Sequence, residues 1–171
     1  AIDQLNTPMD SLAANGYVMS LDYGLNLDDQ LFKYGARINS TLIEDNQCLP
    51  MPVMYGQPGD DQPRMELRNW MYFPLFIPES SHPIVKNLDG VFGLYSSTID
   101  TLGNPEVQKT VLLQSSKYGR KTIAPARISL SMLQYPLDAM FKDVRTPLPV
   151  AVLLEGEFKS VFHNRLHPNF L

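Results

Sequence analysis

Apolar residues along this chain come in short bursts whose period switches between about four and two. Met9, Leu12 and Ala13 follow Thr7-Pro8 at helical spacing. The pattern predicts a short helix with Thr7 as its cap, proline at its first position and Asn15-Gly16 at its end. Residues 17–21 then read as a strand. Asn26 is placed to cap a second helix whose first turn carries Asp28 and Asp29, favourable against the helix dipole. Leu27, Leu31 and Tyr34 form its apolar stripe, with Asp28, Asp29 and Lys33 on the wet side, and Lys33 and Gly35 supply the stop. Residues 38–44 resume a strand pattern, and strand, helix and strand in this order predict a parallel pair.

Residues 50–55 and 65–73 flank Gly56-Gln57-Pro58-Gly59-Asp60-Asp61-Gln62-Pro63, which has turn chemistry at nearly every position. This predicts a hairpin with an exposed tip. Six prolines (Pro50, Pro52, Pro58, Pro63, Pro74, Pro78) each remove a ladder donor, so the region reads as an edge strand or an irregular excursion. A proline-led helical turn is expected over 81–88, strands over 90–95, 109–114 and 126–130, and another helical turn over 138–142. Residues 150–154 form an unbroken apolar run between Pro149 and Gly156. Together with 109–114 it is assigned to the sheet centre, because such runs fit strands covered on both faces.

The chain has 171 residues, the size of one domain, with residues 160–171 expected to fray as a polar tail. A 44% hydrophobic content excludes intrinsic disorder over most of the length. The net charge of -4, without a Lys/Arg stripe, argues against a nucleic-acid partner. The longest apolar stretch, residues 70–78, is about half of what a membrane-crossing helix needs. The opening Ala1-Ile2-Asp3 carries no basic stretch followed by an apolar run, so no signal peptide is read there. It reads instead as a processed protein or an excised piece of a larger one.

Candidate chemistry is sparse. The single Cys48 excludes an internal disulfide and a multi-cysteine metal site, and with no base nearby in sequence it reads as a structural thiol. His163 and His167 have the spacing of two ligands on one helix face, but Pro168 disfavours a helix there and no third ligand is evident. Asp60 and Asp61 read as turn formers, and His82 opens a helical turn where its role is local. Ser96-Ser97 and Ser115-Ser116 fit strand ends better than a nucleophile elbow. Phosphate-cradle motifs are missing, so no catalytic residue, cofactor or metal site is assigned. Trp70, Tyr72, Phe73 and Phe76 concentrate aromatic surface within seven residues, either as a partner-binding anchor cluster or, more simply, as core.

Six segments in order carry a resemblance: NLDDQLFKYGARIN (26–39), DNQC (45–48), WMYFPL (70–75), HPIVKNLD (82–89), KTVLL (109–113) and VAVLLEGEF (150–158). Over about residues 21–162 the chain resembles the GldG family, the gliding-motility-associated auxiliary or "substrate-binding" proteins of ABC transporters in Bacteroidetes-type bacteria. The resemblance implies an α/β domain with a mostly parallel or mixed sheet flanked by helices, like class I glutamine amidotransferase-like (flavodoxin-like) folds. On it the proline-rich hairpin is an excursion. It also implies a non-enzymatic extracytoplasmic (periplasmic) domain of a membrane-anchored protein, anchored by segments outside this chain. Its partners would be separate permease and ATPase subunits, with no cofactor and with protein contacts as its mode of action. The alternative is a solute-binding domain of that transporter, which needs a cleft with convergent polar groups and usually two lobes.

Overall fold

The computed structural model describes residues 2–55, 64–143 and 146–160. The proposed hairpin tip with Asp60 and Asp61, and the tail histidines His163 and His167, lie outside them. Strand β1 (Leu5–Asn6) leads into helix α1 (Met9–Asn15) and strand β2 (Tyr17–Asp22), followed by helix α2 (Asp28–Tyr34). Short strands β3 (Ala36–Ile38) and β4 (Thr41–Glu44) precede a long hairpin of β5 (Cys48–Tyr55) and β6 (Arg64–Phe76). Then come β7 (Val91–Phe92), β8 (Ile99–Thr101), β9 (Val107–Gln114), β10 (Arg120–Ile123) and β11 (Ala126–Ser129). A 3-10 turn over Leu130–Gln134, helix α3 (Leu137–Met140) and β12 (Pro149–Gly156) complete the order.

Both early helices stop where glycine permits a left-handed residue: Gly16 at φ 72° and Gly35 at φ 91°. Their starts differ from expectation. No side chain caps α1, because the Thr7 hydroxyl instead pairs with the Ser20 hydroxyl at 2.8 Å. Asn26 does not cap α2 either; Leu27 stands at that position without a side-chain bond, and Asn26 adopts a positive φ of 55°. The expected 38–44 strand is broken at Asn39-Ser40, and the helical turn at 81–88 closes through His82 and Val85 carbonyls.

The expected parallel α/β architecture is not present. Every strand pairing among the described residues is antiparallel, in five small sheets ordered β1-β2-β11, β10-β4, β12-β9, β3-β8 and β5-β6-β7. Parallel sheets need helices covering both faces. Here α2 is seven residues long and buries none of them: Leu27, Leu31 and Tyr34 take the inner side as the stripe predicts, but only half-buried, and Phe32 is 64% exposed. A helix that covers so little cannot roof a sheet. The two edges of β2 are taken by β1 and β11, so β3 turns away and pairs with β8.

The apolar runs at 109–114 and 150–154 do pair, as β9 with β12, but not at a sheet centre. They form a two-stranded antiparallel ladder with irregular register after Pro149, its β12 side chains only partly covered. Their continuity reflects partial cover on both faces, not full burial on both.

The core lies elsewhere. Leu12 on α1, Val18 on β2, Leu42 on β4 and Ile128 on β11 meet Trp70, Met71, Tyr72 and Phe73 of β6, with Phe141 closing the group. Tyr95 stacks on Tyr72 with ring centroids 5.9 Å apart, and Phe73 meets it edge-on at 5.7 Å. Single main-chain bonds tie the end of β4 to its surroundings, from Asp45 to the Met71 carbonyl of β6 and from Ile43 to the Ser96 carbonyl, while Ala124 to Ser40 extends the β10–β4 ladder.

Candidate functional site

The hairpin of β5 and β6 changes character along its length. Its root is core: Trp70, Tyr72, Phe73 and Phe76, the aromatic cluster singled out in the sequence, are buried and present no surface. Between Cys48↔Pro74 and Pro50↔Asn69 the register jumps, which lets the 70–73 segment bulge inward. Beyond the jump the strands run in regular antiparallel register, Pro52↔Leu67, Val53↔Glu66 and Met54↔Met65, as an arm.

Strand alternation sorts the arm's side chains. Met51, Val53, Glu66 and Arg68 share one face, where Met51 is buried and Val53 packs on the core. Pro50, Pro52, Met54, Met65 and Leu67 share the other, and all are exposed: Met54 by 61%, Met65 by 68% and Leu67 by 66%. These side chains form an adjoining apolar surface of the kind that marks a protein contact site. Methionine suits such a surface because its thioether chain adapts to irregular partners.

The root is held by two consecutive buried acids at the end of β4. Glu44 accepts from the Tyr72 hydroxyl at 3.0 Å, the Thr122 hydroxyl at 2.6 Å and Arg120 Nε at 2.5 Å. Arg120 also lies over the Phe141 ring. Asp45 accepts from the Ser116 hydroxyl and amide, at 2.6 and 2.7 Å, and from the Gln47 amide at 2.9 Å. The Tyr72 phenol is pushed far above its ordinary range by burial, reinforced by Glu44. Its proton therefore stays in place as a donor to Glu44. These acids are structural ties between β4, β6, β10 and the 115–118 turn, not an acid/base couple facing a cleft.

Beside the 66–71 stretch of β6 runs a groove of about 610 Å³, bounded across from it by Leu133, Tyr135, Pro136 and Asp138. Asn46 Nδ2 donates to Asp138 Oδ1 at 3.1 Å at its border. A smaller cavity of about 360 Å³ is lined by Lys33, Tyr34, Glu106 and Phe158.

Cys48 sits half-buried at the start of β5, and burial together with the Asp45 carboxylate pushes its thiol up to about 11. His82 Nδ1 accepts from the Ile84 amide at 3.2 Å, a bond inside its own turn. Ser115 and Ser116 are engaged with Leu148 and Asp45. Among the described residues no group of three His, Cys, Asp or Glu side chains is placed to hold a metal ion, and no helix is long and apolar enough to cross a membrane.

The arm's apolar face was missed in the sequence, although a signal existed. Pro52, Met54, Met65 and Leu67 flank the turn segment symmetrically at alternate positions. The aromatic cluster drew attention because large rings dominate interface energetics, yet the same area makes them the preferred core residues.

The sequence model of a family described as "ABC-type uncharacterized transport system" matches residues 1–170. No curated protein and no solved structure matches the chain.

Proposed function

The chain belongs to this family of auxiliary components of ABC-type transport systems, and from that premise we propose that it works by protein contact through the exposed face of the β5–β6 arm. The partner of that face is the permease of the transporter, with the ATPase as a further separate subunit. The setting is the extracytoplasmic side of the inner membrane, and the chain's role there is that of a non-enzymatic accessory. The resemblance to the GldG family supports a transporter tied to gliding motility or secretion. The observation that carries the contact reading is Met54, Met65 and Leu67 standing more than 60% exposed on one regular strand face.

The test is co-purification of the full-length protein with its permease and ATPase, comparing wild type with Met54→Asp. A charge placed in an apolar contact should lower recovery of the permease by about tenfold or more. Phe32→Asp is the control, since Phe32 is as exposed but stands on α2, away from the arm. Recovery unchanged in Met54→Asp, or lost equally in Phe32→Asp, overturns the assignment of the arm.

A further inference from the structure

The two edges of the arm are not alike. On β5, Pro50 and Pro52 face Asn69 and Leu67. Proline is tolerated in such a ladder where its nitrogen points away from the partner strand. That places Pro50, Pro52 and Met54 at the pairs that exchange no main-chain hydrogen bonds, and it turns the amides and carbonyls of Met65, Leu67 and Asn69 toward the opposite edge. β7 covers β6 only at Leu75 and Phe76, so among the described residues the 64–69 edge has no strand beside it. One edge of the arm is thus blocked by proline, and the other is a template for strand addition.

The side chains along that template are self-complementary. Laid antiparallel against itself about a two-fold axis at Leu67, the edge sets Glu66 opposite the second copy's Arg68, and Arg68 opposite the second copy's Glu66. Within one chain the same two side chains already pair, Arg68 Nε to Glu66 Oε1 at 3.1 Å, both about half exposed. The symmetric arrangement would place each carboxylate between two guanidinium groups. On the other face Leu67 meets Leu67 and Met65 lies against Asn69, so the apolar surface of each arm continues into the next. The outward amides of Met65, Leu67 and Asn69 fall opposite one another, which is the pattern a hydrogen-bonded antiparallel pair needs.

We propose that the β6 edge over residues 64–69 binds a second copy of this chain, joining two arms into one four-stranded antiparallel sheet. The interface is isologous and closes at two copies. It uses the edge of the arm, whereas the contact with the permease uses the apolar face, which pairing of the edges would extend from one copy into the next.

The experiment is sedimentation velocity on the full chain, with Glu66→Arg, with Arg68→Glu, and with an equimolar mixture of the two. Wild type should associate reversibly to a dimer. Each single variant sets like charges opposite one another at two symmetric sites and should weaken the dimer by about tenfold. The mixture restores opposite charges at both sites and should recover a dimer containing one chain of each kind. A cysteine at the axis gives a second readout: in a Cys48→Ser background, Leu67→Cys should cross-link between copies on mild oxidation, since directly paired Cα atoms stand about 5.5 Å apart. Met54→Cys, on the distant strand, should not. Wild type that stays monomeric up to roughly 1 mM overturns the proposal. So do single variants that dimerise like wild type, a mixture that stays monomeric, or cross-linking equal at positions 54 and 67.

Discussion

Replacing Glu44 with alanine should remove the acceptor that three donors share at the root of the arm. The Tyr72 hydroxyl belongs to a residue only 1% exposed and donates to Glu44 at 3.0 Å. With the carboxylate gone, its other neighbour is the Met132 sulfur at 3.8 Å, a weak acceptor. An orphaned buried hydroxyl costs about 1–3 kcal/mol. The Arg120 side chain is 39% exposed, so water recovers much of what that ion pair loses, leaving a share of about 1 kcal/mol. The small void left by the shortened side chain adds roughly another 1 kcal/mol. The expected total is about 3–5 kcal/mol, read by urea unfolding with the slope unchanged.

The decisive measurement is the double-mutant cycle with Tyr72→Phe. If the orphaned hydroxyl is the main cost, deleting it should recover about 1–2 kcal/mol in the Glu44→Ala background, whereas in wild type the same deletion removes a satisfied bond and destabilises. Additivity of the two substitutions within about 0.5 kcal/mol would refute the reasoning, because it would mean that the Tyr72 hydroxyl is indifferent to the carboxylate.

The Cys48 thiol, pushed up from an ordinary 9.0 to about 11, should alkylate with a rate that climbs through pH 10, and a plateau near pH 8 would contradict its burial beside Asp45. Since the folded state holds that proton more tightly than the unfolded chain, the thiol's contribution to stability is whole below about pH 9 and is lost as pH rises through 11. Gly35→Ala should destabilise by about 1–2 kcal/mol in the same unfolding assay, because its φ of 91° is unfavourable for alanine and the new methyl would stand 2.9 Å from Lys109 Cε. An unchanged midpoint would show that the turn after α2 relaxes freely.

Local features were legible where the cause is local. Gly16 and Gly35 end helices because a left-handed residue is needed there whatever the rest of the chain does. The arm was legible because turn residues between two alternating runs leave few options, and Pro50 and Pro52 mark an edge since a missing donor is tolerated only there. Cys48 read as a structural thiol from the lack of a base nearby in sequence, while its half-burial beside Asp45, which pushes the thiol up to about 11, came only from the fold. Capping was less legible: Thr7 and Asn26 had suitable side chains, but the Thr7 hydroxyl pairs instead with that of Ser20 on β2, beyond α1 in the sequence.

What stayed out of reach was pairing. A strand's alternation says that it has two faces, not which strand lies beside it. The order β2, α2, β3 was compatible with a parallel crossover, and nothing within those residues forbids it. The outcome turned on competition: β11, more than a hundred positions downstream, takes the edge of β2, and β8 takes β3. The continuous runs of β9 and β12 misled for a related reason, since an apolar side chain records that it prefers cover without recording how much cover the fold provides. The aromatic residues of β6 illustrate the same divide. Their composition required that large surface be buried somewhere, and only the inward bulge after Asn69 made that place the core and left the methionines and Leu67 of the arm to the solvent. Composition, turns and termini follow from interactions a few residues apart, while burial and pairing depend on which distant segments win each edge, a global minimum that no short window of sequence contains.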